Sequence, residues 1–155
     1  MLENCKSAKE RWGGVNEIID RWLQERQDML VLYCQLSQAE RFDEKDEEQV
    51  LRLRKLCQIM VDYVSAGHFE VYDQLIKEAQ EFEDKAALTE AASLFETIDQ
   101  TTEVILDIND KYLEQDDLSS LSDDLSNLGP VLEQRFESED RMIEVLHVSH
   151  TDLVS

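Results

Sequence analysis

Leu88, Ala91, Phe95, Ile98, Thr102, Ile105, Asn109 and Tyr112 recur at alternating steps of three and four residues. Only an α-helix keeps such a set on one face, and a seam of that length suits packing along an antiparallel neighbour. Val15, Ile18, Ile19, Trp22, Met29, Leu30, Tyr33 and Cys34 mark another helix, with Arg26 interrupting the set on the same face. Val50, Leu53, Cys57, Met60, Val61 and Val64 mark the next. Phe69, Tyr72, Leu75, Ile76, Ala79 and Phe82 form a third segment, and Leu118, Leu121, Leu125, Leu128, Leu132, Phe136, Ile143 and Leu146 the last helix. One proline and four glycines in 155 residues leave few breakers. The expected fold is all-α: one domain over residues 1–155, an antiparallel helical bundle with a four-helix core and kinked long helices.

The breakers set the open questions. Residues 3–12 read as a short helix that Gly13-Gly14 kinks or breaks. Residues 37–46 form a polar connection in which Asp43 or Asp46 can cap the next helix. Residues 114–117 end the long seam and can cap the last helix, which continues in phase across Pro130 and is therefore expected to kink there. The tail after His147 is expected to fray. Gly67 is either the stop of the second helix or a point where it bends. Phe69 is correspondingly either the first core residue of a third helix, which periodicity favours, or the centre of an outward face.

That outward face matters. If residues 61–73 run on as one helix, Asp62, Ser65, Ala66, Phe69 and Asp73 share a stripe about a quarter-turn from Cys57, Met60, Val61 and Val64. A stripe polar at one end and aromatic in the middle suits a partner better than an interior. The charge agrees. The chain holds 36 acidic and 15 basic residues, net −21, with −16 of that in residues 76–155. Such a chain repels nucleic acid and anionic membrane and attracts basic partners. The three cysteines share no metal spacing. Cys34 and Cys57 read as small buried hydrophobes and Cys5 as a free thiol, a usage that fits a reducing cytoplasm. No stretch approaches a transmembrane span, and the opening residues lack the apolar core of a signal peptide.

Catalytic and metal chemistry is thin. Glu144-x-x-His147 has the spacing of half a di-iron carboxylate site, but such a site needs a second copy and two further inward glutamates. A metal-binding bundle using Glu144, His147 and His68 is therefore the weakest reading, with His150 close by. His68 has no nucleophile paired with it and reads as a capping or packing residue. No phosphate-cradling loop and no basic stripe are present. Neither an enzyme nor a cofactor is expected.

Two stretches carry a resemblance: Asp20-Arg21-Trp22-Leu23 with Arg26, Leu30, Val31 and Tyr33, and Val61-Asp62-Tyr63-Val64-Ser65-Ala66-Gly67-His68-Phe69 with Tyr72. Together they resemble the regulator of sigma D and AlgQ family of bacterial anti-sigma factors. Leu132-Glu133, Arg135-Phe136 and Glu139-Asp140 are similar to that family's last helix, while residues 83–130 are only loosely similar and Pro130 departs from the enterobacterial pattern. The opening residues through Arg11-Trp12-Gly13-Gly14 look closest to the AlgQ branch of pseudomonads. The resemblance implies a four-helix bundle that binds the C-terminal, −35-recognising domain of the housekeeping sigma factor. It would thereby keep that factor from RNA polymerase core and promoter DNA and favour alternative sigma factors as growth slows. It further implies positive regulation of alginate and siderophore genes in the AlgQ branch and a binding surface at the positions of Asp62, Ser65 and Phe69. A cytoplasmic monomer is expected. The residues leave alternatives open. Asp62 could pair within the chain, with Arg21 or Arg26. Ser65 could be a plain helix residue. The Asp20-Arg21-Trp22 run could be architecture, with Trp22 in the core and Arg21 in an internal salt bridge. The scaffold could also serve a different partner, such as a phosphocarrier or another regulator.

Overall fold

A computed structural model of the chain describes residues 8–39, 41–114 and 117–154. It is all-helical: α1 (Ala8–Ser37), α2 (Glu47–Ala66), a π-helical turn (Gly67–Val71), α3 (Tyr72–Glu81), α4 (Lys85–Glu114), α5 (Leu121–Leu146) and a closing 3₁₀ turn (Val148–Leu153). α2, the π-turn and α3 run on as one continuous helical rod, so the bundle has four members. Cross-contacts fix their sense. Arg11 meets Glu81 and Trp22 meets Tyr63, so α1 runs antiparallel to the rod. Arg141 meets Glu90 and Lys111 meets Asp124, so α4 and α5 are antiparallel too.

The expected breakers prove permissive. α1 passes through Gly13 and Gly14 without interruption. The expected start at residue 3, and Cys5, lie outside the described residues. The buried face of α1 is Val15, Ile19, Trp22, Met29 and Leu36, with Arg26 filling the step between Trp22 and Met29. Cys34, expected inside, is exposed. Seven residues bring Leu36 back over Met29, whereas five carry Cys34 well round the helix. Cys57 is buried as expected, which pushes its thiol up to about 11. Asp46 caps α2, its carboxylate accepting from the backbone N–H of Glu48 and Gln49. α5 starts later than expected, with Ser120 and not residues 114–117 at its N-cap, and it spans Pro130 as a single helix. The tail does not fray: the 3₁₀ turn carries His150 into the interior.

The middle of the bundle is polar. Glu139 of α5 is fully buried. One of its oxygens accepts from the Tyr63 hydroxyl at 2.6 Å and from Arg26 at 3.4 Å. The other accepts from the Tyr72 hydroxyl and from Arg135 Nε at 3.2 Å. Arg135, also buried, spends its remaining donors on α4, at Ile98 O, Thr101 Oγ1 and Thr102 Oγ1, and on the Tyr72 oxygen. One carboxylate is thereby linked to every helix. Burial pushes the Glu139 carboxyl up, opposed by Arg135, the two phenols and Arg26. No buried side-chain nitrogen or oxygen among the described residues lacks a partner.

Arg135→Ala strands Glu139 in the core and is expected to cost about 3–5 kcal/mol in urea unfolding. Adding Glu139→Gln removes the stranded charge and should recover part of that loss. A single-mutant cost under about 1 kcal/mol would show that the bundle does not depend on this pair.

Candidate functional site

The π-turn decides which residues face outward. Tyr72 N–H bonds to Gly67 O, five residues back, where an α-helix would use four. The extra residue changes the helix phase. Phe69 keeps the phase of α2 and points out, 79 % exposed, while Val71 and Tyr72 turn in. The core reading of Phe69 is thus corrected, although periodicity favoured it. So is the reading of Gly67 as a stop. Gly67 has ordinary right-handed helical angles. What it supplies is room: a Cβ there would lie 3.0 Å from Trp22 Cζ2 and 3.1 Å from the Tyr72 phenol. Trp22 stacks on Tyr63 at 4.7 Å, meets Tyr72 edge-on, and donates its indole N–H to Tyr63 O at 3.0 Å. The close pass of α1 at this glycine seats the whole segment.

Of the stripe residues, Asp62, Phe69 and Asp73 are exposed and Ser65 and Ala66 are half-buried. Asp73 follows the π-turn and so does not keep the phase of Asp62. Asp62 accepts from Gln58 Nε2 at 3.0 Å. Neither arginine suggested as its partner serves. Arg21 reaches Glu70 at 3.7 Å, and Arg26 binds Asp140 and Glu139. Arg21 is largely exposed, so its ion pair is a surface one and not internal, whereas Trp22 is in the core. Asp73 pairs with Lys77 at 3.0 Å. The His68 ring lies edge-on to Phe69 at 5.0 Å and is itself exposed. Beside the stripe, Ile18, Arg21, Trp22, Glu25, Ala66 and Glu70 line a groove of about 260 Å³. Partial burial raises the Glu25 carboxyl pKa, and Asp62, Asp28 and Glu70 raise it further. Carboxylates thus crowd the groove around Glu25. Glu25 and Glu70 were missed in the sequence because they join the stripe from its flank.

The C-terminal histidines form a separate cluster. His147 is buried, stacked on Trp12 at 4.2 Å, with Nδ1 2.6 Å from Glu78 and Nε2 3.2 Å from Asn16 Oδ1. Glu144 is exposed on another face, so the expected Glu-x-x-His pair does not converge. His150 lies between two carboxylates, 2.9 Å from Glu78 and 2.9 Å from Asp84, with Phe82 against its ring. Among the described residues no group of three His, Cys, Asp or Glu side chains is arranged to hold a metal ion. No described helix is long and apolar enough to cross a membrane.

Comparison with known proteins gives matches over nearly the whole chain. A family model described as "Regulator of RNA polymerase sigma(70) subunit, Rsd/AlgQ" matches residues 1–147. A protein of Yersinia pseudotuberculosis named "Regulator of sigma D" is 35 % identical over 150 residues, covering 93 % of this chain and 88 % of that one. A protein of the same name from Enterobacter sp. is 36 % identical over 152 residues, covering 92 % and 88 %.

Both His150 nitrogens face carboxylates, so both must carry protons to donate. Burial pulls the His150 pKa down, but Glu78 and Asp84 more than offset it and the net shift is upward from 6.5. A histidine raised on folding stabilises fully below its unfolded value and loses that contribution as pH rises through its folded value. Asp84 is held below the ordinary carboxylate range by His150 and by the Ala87 N–H, so its share is lost only in acid. The melting temperature is therefore expected to decline as pH rises above about 6.5. His150→Gln should flatten that decline in thermal melts from about pH 5.5 to about pH 9. An unchanged profile in the variant would remove His150 as its source.

Proposed function

The chain belongs to the Rsd/AlgQ family of regulators of the RNA polymerase sigma(70) subunit, and on that premise we propose that it binds the C-terminal, −35-recognising domain of the housekeeping sigma factor. Binding would sequester that factor from RNA polymerase core and promoter DNA and favour alternative sigma factors. It would act as a monomer in the cytoplasm, where RNA polymerase works. The observation that carries the site assignment is Phe69, a large ring 79 % exposed on an ordered helix with carboxylates on either side. An isolated exposed aromatic is unremarkable, but one centred in a charged stripe has the form of an interface anchor.

The physical account is competition. A promoter-reading helix-turn-helix module presents a basic surface to phosphates. An acidic helical face offers carboxylates in their place, which speeds encounter and excludes wrong partners. In this reading Phe69 expels water at the centre of the patch, Asp62 pairs a basic side chain, and Ser65 and Ala66 let the partner's backbone approach. Asp73 lies at the rim.

Calorimetric titration of the protein with intact housekeeping sigma factor, and with the same factor lacking its C-terminal domain, tests the proposal. Binding is expected only with the intact factor and should weaken as salt rises. Phe69→Ala and Asp62→Ala should each weaken it by about 1–3 kcal/mol. The melting temperature should not change, because both side chains are exposed. Binding unaffected by either variant would move the site to another face. No binding at low salt would sink the reading.

A further inference from the structure

The solvent face of α2 does not end at Asp62. Leu51 is 54 % exposed and lies 18 residues before Phe69, which is about five helical turns and about 27 Å along the rod. The two large apolar side chains therefore sit in one line. Between them, at steps of four and three, lie Lys55, Gln58, Asp62 and Ser65. The line is polarised. At its start Arg54 and Lys55 are exposed, and among the described residues neither has an ion-pair partner, while Arg52 beside them pairs with Glu48 at 2.7 Å. At its far end are Asp62 and, on the flanks, Glu25 and Glu70. In a chain of net charge −21, two adjacent cations without an ion pair, on the face that carries the apolar anchors and with only Glu44 in the groove beside Arg54, form an island of opposite sign.

We propose that the docking surface runs the whole distance from Leu51 to Phe69 and reads a partner of matching polarity, with an apolar contact at each end, an acidic side chain opposite Lys55 and a basic one opposite Asp62. The inference rests on the reading that this stripe binds the C-terminal domain of the sigma factor, and it commits to that domain as the occupant. Charge complementarity carries it. General attraction to an acidic protein would accept a basic surface in many orientations. A cationic island at one end of the face penalises all but the orientation that brings an acidic group to it, so the island fixes register rather than adding attraction. The span of about 27 Å is also that of a small domain seated along the whole rod rather than at its tip.

Lys55→Glu separates this from simple attraction, because it makes the protein more acidic. If general attraction governs, a basic partner binds the variant as well as or better than the parent. If Lys55 faces an acidic group, binding weakens, by about tenfold. The full-length chain and its Lys55→Glu, Leu51→Ala and Phe69→Ala variants would be titrated against the isolated C-terminal domain of the housekeeping sigma factor, with melting curves for each. The expected result is a loss of about tenfold for Lys55→Glu and about fivefold for Leu51→Ala, with unchanged melting. Unchanged or tighter binding by Lys55→Glu, or Leu51→Ala within twofold of the parent, overturns the extended surface. Should Phe69→Ala still bind weakly in that case, the sigma-binding reading stands without the extension. Failure of the parent to bind overturns both.

Discussion

Glu139 is the fixed point of this bundle. A carboxylate in a helical core is costly to bury, and it is tolerated here because its oxygens accept from four donors on α1, α2, α3 and α5. Apolar packing is less directional and penalises a slip of a turn only through lost contacts and cavities. A carboxylate whose partners are two phenols and two guanidinium groups adds a directional penalty, because every slip leaves a buried polar atom unpaired. Arg135 extends the constraint to α4 through Ile98 O and two threonine hydroxyls. The interior network thus sets the rotation and register of all four members at one level.

That register accounts for the irregular segment beside the proposed site. Tyr63 and Tyr72 are nine residues apart, which on an uninterrupted α-helix places them on opposite sides, about 180° apart. Both nevertheless reach Glu139, one at each oxygen. The π-turn between them reconciles the two demands, since its extra residue swings Tyr72 back toward the core. Gly67 is then required for space, because Trp22 and the Tyr72 phenol occupy the volume that a Cβ would take. Gly129 has a related role in α5, where a Cβ would lie 2.7 Å from the Tyr33 hydroxyl, which donates to Leu125 O. The outward presentation of Phe69 is thus a consequence of what the inward residues must satisfy.

Much of this was legible from spacing. The seam from Leu88 to Tyr112, the Asp46 cap, the passage through Pro130 and the outward Asp62 all follow from period and residue type, whereas Asp73 was placed in its stripe on the condition that the helix ran on with one twist. The failures share a cause. Periodicity assumes a constant twist, so it grouped Phe69 with Tyr72 and could not see the phase change between them. A glycine reads as a turn signal, so Gly67 read as a stop or a bend when its role was close packing. Arg26, Arg135 and Glu139 sit at positions that helical spacing assigns to the core; Arg135 and Glu139 continue the series Leu128, Leu132 toward Met142 and Leu146. Charged residues at core phase were themselves the signal, but spacing along one helix cannot show that their partners converge from the others. The 3₁₀ tail failed likewise, because its anchors, Glu78 and Asp84, are some seventy residues earlier.

The placement of positive charge links interior and surface. Arg26 and Arg135 neutralise Glu139 and Asp140, so the polar centre is close to balanced. Arg11, Arg141, Lys77 and Lys111 are also committed to carboxylates of this chain. Among the described residues Lys9, Arg41, Lys45, Arg54, Lys55 and Lys85 are exposed and make no ion pair. Of these, Arg54 and Lys55 are adjacent on the solvent face of α2, close to the line of Leu51 and Phe69. The same rod that the Glu139 network orients presents apolar ends, a positive segment and a negative one, each fixed on an ordered helix. On the proposed docking surface a partner would match that order in one direction only, so the rotation chosen inside the bundle would become the specificity offered outside it.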